Sequence, residues 1–371
     1  MELETTRTWA EISLSDLEHN YRALRACAPD SRFLGVVKAN AYGHGAVEVA
    51  RRLEALGADY LAVACPDELV ELRRAGIALP VLVLGATVPG RAGEVVEYGG
   101  TQAVFTMELA RVLSREALSR GRRAKVHIKV DTGMSRLGVL ADEPERAAAE
   151  IAALCALPGL ACEGIFTHFA NADGDEAYTM LQFTRFLAVL EQLRARHGIE
   201  FEIRHCAASA AVLNYPCTHL DMVRPGIALY GYYPDASCCP LPAGLRPVMT
   251  LKARVAAVRA LPAGTPVSYG CTQCLAQDGN LAVLPIGYAD GLHRTLSGRG
   301  SVYLAGRERP IVGRVCMDMC MVSLGADRAA AGDIAEIFGQ RMPLEHLAAQ
   351  AGTIPYELLC AVAPRVPRLY L

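Results

Sequence analysis

The chain is 371 residues long, 20% charged, with a formal net charge of −2. That length exceeds one small domain and suits a barrel-sized domain followed by a smaller one; a near-neutral balance without a Lys/Arg block excludes nucleic acid or an anionic membrane as the main partner. The opening MELETTRTWAEIS has no basic-then-apolar signal profile and runs such as Ile77 to Val88 are too short to span a bilayer, so a cytoplasmic protein with a small-molecule substrate is expected.

In chain order, eight short β-branched runs predict strands: residues 33–38, 60–65, 81–85, 102–105, 126–130, 162–168, 201–205 and 221–226. Between them lie segments of helical period, among them AVEVARRLEAL, MELARVLSREAL, PERAAAEIAALCAL and LQFTRFLAVLEQLRARH. Eight such alternations predict an α/β fold with a closed parallel (β/α)8 TIM-type barrel over residues 1–238, with a doubly wound open sheet as the competing architecture. From Tyr232 the texture becomes rich in Pro, Cys and Gly, as in a linker. Residues 239–371 then predict a mostly-β domain with strands in VMTLKARVAAVRAL, LAVLPIGYA and RPIVGRVCMDMCMV and short helices at PLEHLAAQAG and near YELLCAV. The thirteen cysteines are scattered and are expected as reduced thiols. CTQC (Cys271 to Cys274) lacks a second ligand pair, so no metal site is expected.

Polar residues that cores rarely hold follow several predicted strands: Lys38 the first, Asp131 and Arg136 the fifth, His168 the sixth, Ser209 the seventh and Arg224 the eighth. In a barrel those ends converge on the face where active sites are built. RPGIALYG offers backbone N–H groups of Gly226 and Ile227, and Ser209 a hydroxyl, for a phosphate, while a half-buried Lys38 can form a Schiff base with an aldehyde. Pyridoxal phosphate meets both demands.

These segments resemble the bacterial alanine racemases over nearly the whole chain. VVKANAYGHG (36–45) looks like that family's cofactor-lysine motif, KVDTGMSRLGV its Gly-Met-Arg segment and RPGIALYG its phosphate loop. VSYG (267–270), PIGYADG (285–291), GRVCMDMCMV (313–322) and the tail TIPYELLCAVAPRVPRLY follow in the family's order. The resemblance implies a homodimer with composite sites that racemises alanine, supplying D-alanine for peptidoglycan. Lys38 would hold pyridoxal 5'-phosphate and act as one base, and Tyr269 of the partner subunit would be the other, with His168 as its hydrogen-bond partner. Arg224 would face the pyridine nitrogen; a permanent donor there makes the ring a weaker electron sink than an aspartate would. Tyr42, Ser209, Gly226, Ile227 and Tyr356 would lie near the phosphate, Arg136 near the substrate carboxylate, Met317 and Asp318 of the partner at the substrate, and Tyr288 at the entrance. Lys129 matches a lysine that some members carbamylate. One departure is Ala208, where the family usually has asparagine before the serine. The alternatives are a serine or broad-specificity racemase, a basic amino-acid decarboxylase and a non-catalytic carrier of the same cofactor; the second domain argues against the last.

Overall fold

The computed structural model describes residues 5–371. Each of the eight expected runs carries a strand of one parallel sheet, in the order Met222–Val223, Arg32–Val36, Tyr60–Val63, Val81–Val83, Thr101–Val104, Ala124–Asp131, Leu160–Phe166 and Ile203–His205. The last strand in chain order returns to its predecessor through Asp221 N to Arg204 O at 3.1 Å and Arg224 N to Ala207 O at 2.9 Å, which rounds the sheet into the barrel. These strands are nearly continuous apolar runs because helices cover one face and the barrel interior the other; Tyr60–Val63, Val81–Val83 and Thr101–Val104 are buried throughout.

The covering helices follow from period and caps. Met107–Ser119 begins where the Thr106 side chain accepts from Leu109 N, and it buries Leu109, Ala110, Leu113 and Ala117, one stripe of an amphipathic helix. Glu176–His197 is capped by Asp175, carries Arg194, Arg196 and His197 in its last turn and stops at Gly198 with φ 62°.

The barrel unit comprises Leu17–Ala41 and Ala46–Arg246; the second unit combines Pro247–Leu371 with Tyr42–Gly45 and the N-terminal strand Thr8–Ile12. In the second unit a six-stranded sheet runs Arg307–Pro310, Ser301–Leu304, Ile334–Phe338, Met249–Arg254, Thr8–Ile12, Arg368–Tyr370. A three-stranded sheet joins Ala257–Leu261, Gly279–Leu284 and Cys320–Gly325, and Val267, Leu275 and Leu281 form a small apolar core of their own. The helices Leu344–Ala351 and Pro355–Ala361 stand where expected. The strand expected through RPIVGRVCMDMCMV is instead interrupted. Gly313 turns the chain with φ 72°, Cys316 N donates to Met319 O at 2.9 Å, and Met317 to Met319 form an exposed tip before Cys320–Gly325 resumes. Among the described residues no helix is long and apolar enough to cross a membrane.

Candidate functional site

Lys38 ends the first barrel strand and opens a turn of unusual hand. Ala39, Asn40, Ala41 and Tyr42 have φ of 53°, 54°, 53° and 51°, the left-handed helical region, although none is glycine. For L-residues that conformation costs about 1–2 kcal/mol each, so neighbouring groups must hold it. Glu68 accepts from both Ala39 N and Ala64 N at 2.6 Å, Asn40 Oδ1 accepts from Ala46 N at 2.8 Å, and Ala41 N donates to Val37 O at 2.8 Å. Strain kept at one place by a surrounding set of bonds is the mark of a functional turn.

Arg224, 3% exposed, stands at the centre of this end of the barrel. Its Nη1 lies 2.9 Å from His205 Nδ1, and Nη2 donates to Thr167 O at 2.9 Å and Cys206 O at 3.1 Å and meets His168 Nδ1 at 3.2 Å. A guanidinium only donates, so both histidines accept through Nδ1 and carry their proton on Nε2. Burial, then the charges of Arg224, Lys129, Arg136 and Lys38, hold the His168 imidazole neutral, well below its ordinary range. Four basic side chains from the ends of three barrel strands thus act on one ring. Burial lowers the Arg224 pKa to about 10, still cationic near neutrality. Burial, then the charge of Arg224, drives the Lys129 ammonium well down; its Nζ lies 4.9 Å from the centre of the Phe166 ring, on which His205 stacks at 4.8 Å.

Backbone geometry shapes the other barrel loops. Asp131 Oδ1 accepts from the N–H groups of Gly133, Met134 and Ser135 at 3.0, 3.0 and 3.1 Å, curling the segment that carries the exposed Arg136. At Gly138, with φ 134°, a Cβ would stand 2.4 Å from Asp131 N, so only glycine closes this loop. Ser209 Oγ accepts from Gly226 N at 2.9 Å and Ala228 N at 3.3 Å, tying the seventh and eighth loops together. Ile227 starts a short 3-10 turn, where an N–H has no acceptor within the turn. Ala208, lacking an amide side chain, contributes through its backbone: its O accepts from Val212 N at 2.9 Å and it bridges Arg224.

The remaining expected residues lie in the second unit. Tyr42, buried, faces the half-buried Tyr356 with ring centres 6.2 Å apart, and burial, then Tyr356, raises its phenol pKa. Tyr269, 72% exposed, follows Ser268, whose φ of 66° is stabilised by Ser268 Oγ donating to Arg314 O at 2.7 Å. Tyr288, Met317 and Asp318 are also exposed. Sequence reasoning missed what steadies them: the buried Asp290 carboxylate accepts from Arg7 at 2.7 Å, Arg365 at 2.8 Å and Gly287 N at 2.9 Å, and Arg365 reaches on to Asp318 at 2.7 Å. It also missed His205, His127 and Glu68; the only signal was a polar residue inside or just after an apolar run.

The buried histidines make stability depend on pH. Burial holds His127, His168 and His205 below the value of 6.5 that they take in an unfolded chain. The unfolded state therefore binds more protons as pH falls through that value, and stability drops. For the fully buried His127 and His205 the slope approaches about 1.4 kcal/mol per pH unit each. The melting temperature is expected to fall steadily from about pH 7 to about pH 5, above the range in which carboxylates titrate; a flat or rising profile contradicts the neutral assignment.

Two family models cover the chain, the N-terminal domain of alanine racemase over residues 12–234 and its C-terminal domain over residues 248–370. The chain is 48% identical over 367 residues to an alanine racemase of Desulforamulus reducens, covering 98% of both chains. It superposes on solved structures of alanine racemases from Clostridium difficile 630 (TM-score 0.95, 39% identity, 99% of this chain and 96% of that one) and from a D-cycloserine-producing Streptomyces lavendulae (TM-score 0.94, 40% identity, 99% and 97%).

Proposed function

The chain belongs to the alanine racemase family, and on that premise we propose that Lys38 and Tyr269 of the partner subunit are the two groups that remove and return the α-proton of alanine. The protein is a pyridoxal-phosphate-dependent isomerase that interconverts L- and D-alanine. When bound, the cofactor supplies an aldehyde that condenses with amino groups and a ring that acidifies the α-carbon.

The residues present suit such an anion. Arg224, buried and cationic, bonds only to imidazoles and carbonyls, with no carboxylate partner among the described residues, and it shares its mouth with Lys38, Lys129 and Arg136. Phosphate would be held by the Ser209 hydroxyl and the Ile227 amide, with Gly226, whose N–H goes to Ser209 Oγ, shaping the loop, and the ring nitrogen by Arg224. Lys38 Nζ would hold the aldehyde carbon of the bound cofactor, and the same amine is placed to move the α-proton on its side. Tyr269 Oη serves the other side. His168 would offer that oxygen a neutral ring whose Nε2–H is available to donate, because Arg224 occupies its Nδ1. Arg136 takes the substrate carboxylate, and Met317, Asp318 and Tyr288 of the partner line the way in. The enzyme would work in the cytoplasm and supply D-alanine for peptidoglycan.

The observation that carries the composite site is Tyr269 itself. A proton-transfer group left 72% exposed on its own chain lacks the desolvated setting that general bases need, and a second copy would provide it. Subunit complementation tests this. Lys38→Ala and Tyr269→Phe proteins, each expected to keep at most about 1% of activity, are unfolded together and refolded as a mixture. If the site takes Lys38 from one chain and Tyr269 from the other, mixed dimers contain one intact site, and roughly a quarter of wild-type activity returns. No recovery, with mixed dimers shown by mass, places both bases on one chain.

A further inference from the structure

The polar chain behind Arg224 runs the depth of the barrel and has a direction. Arg224 Nη1 meets His205 Nδ1 at 2.9 Å, His205 Nε2 meets His127 Nδ1 at 2.8 Å, and His127 Nε2 lies 3.4 Å from Glu163 Oε2. A guanidinium has only donors and an ionised carboxylate only acceptors. With Arg224 donating at one end, the His205 proton must sit on Nε2. That proton goes to His127 Nδ1, so the His127 proton also sits on Nε2 and points at Glu163. Charge on either ring would set two donors against each other. Both imidazoles are fully buried and burial, foremost, holds them neutral. Burial raises the Glu163 carboxyl, but hydrogen bonds from His127, Lys125 and Tyr60 outweigh it and keep it at about 2.

Glu163 stands at the far mouth. It accepts from Lys125 Nζ at 2.6 Å and from the Tyr60 hydroxyl; Tyr60 opens its strand and Lys125 is the second residue of Ala124–Asp131, whereas His205 closes its own strand. Two imidazoles in a barrel interior are a costly filling where apolar side chains pack freely, unless every polar atom is satisfied. We propose that Glu163, supported by Tyr60 and Lys125, is a positioning residue for Arg224, fixing through His127 and His205 the orientation and donor face that the guanidinium turns to the cofactor ring. Without an acceptor at Glu163 the His127 proton is free to move to Nδ1, which forces the His205 proton to Nδ1 and against the Arg224 donor.

The proposal rests on Arg224 facing the ring nitrogen, and its test separates the two ideas. In holoenzyme labelled with ¹⁵N-histidine, His127 and His205 are expected as neutral Nε2–H tautomers from about pH 6 to about pH 9. A proton on Nδ1, or a charged ring, at either residue overturns the relay, and this measurement needs no variant. Glu163→Leu is expected to shift the His205 Nδ1 resonance and the cofactor's visible absorption and to lower kcat roughly tenfold, with KM for alanine within about twofold. Glu163→Gln, whose amide oxygen still accepts from His127, should restore all three. A Glu163→Leu enzyme with unchanged His205 resonance and kcat refutes the proposal. A moved His205 resonance with unmoved cofactor absorption upholds the relay and removes Arg224 from the ring nitrogen.

Discussion

Replacing Lys38 with alanine lowers turnover by at least about 10⁴-fold, measured as the decay of circular dichroism of L-alanine, and yields protein that loses its cofactor on gel filtration. On the proposed assignment two functions end together in this substitution, the covalent hold on the aldehyde and one of the two proton transfers, and no neighbour would take over either. Lys129, another amine at this end of the barrel, is buried against Phe166, and Arg136 and Arg224 carry guanidiniums that neither condense with aldehydes nor give up a proton readily. The fold should survive. Lys38 is half-buried at a strand end, and its removal takes one cation from the group that acts on His168, so the melting temperature should hold or rise. An added primary amine is expected to restore part of the turnover. Substantial activity without added amine would show that Lys38 is not the cofactor lysine.

Most of the barrel was legible because its grammar is local. Each parallel strand is a short apolar run with turn signals on both sides, and the polar residue just past it falls on the catalytic face whatever the rest of the chain does. That rule put Lys38, His168, Ser209 and Arg224 just past their strands, where the fold has them. What remained hidden depends on non-local partners. Thr8–Ile12 pairs with Met249–Arg254 and Arg368–Tyr370, hundreds of residues away, and nothing in TWAEI names those partners. The left-handed turn after Lys38 is written in alanine, asparagine and tyrosine, where intrinsic preference points to a right-handed helix; it exists because Glu68 and Asn40 hold it. His127 and Glu163 lie inside strands, where a single polar residue reads as facing solvent, and only the closed barrel turns them toward one another. The MDM tip at Met317 to Met319 was read as strand because its flanks are apolar; Gly313 at φ 72° diverts the chain before the pattern can continue.

Tyr269→Phe should separate the two halves of racemisation. Removing the phenolic oxygen deletes one proton carrier and leaves the ring's packing, so overall interconversion is expected to fall by about 10²–10⁴-fold, the range for loss of a general acid–base group. Lys38 remains. In D₂O the enantiomer whose α-proton faces Lys38 should still exchange that proton for deuterium with retention, while the other should barely exchange, since its proton faces the missing oxygen. Wild-type enzyme is expected to exchange both. The magnitude depends on His168: its Nδ1 is occupied by Arg224 at 3.2 Å, so its Nε2–H is available to stabilise a phenolate and has nothing to stabilise in the phenylalanine variant. His168→Asn should therefore lower kcat/KM in wild type yet leave residual Tyr269→Phe activity nearly unchanged, because two groups acting as one unit do not add. If the two enantiomers lose exchange equally, or if neither loses it, a single group serves both faces and the two-base assignment fails.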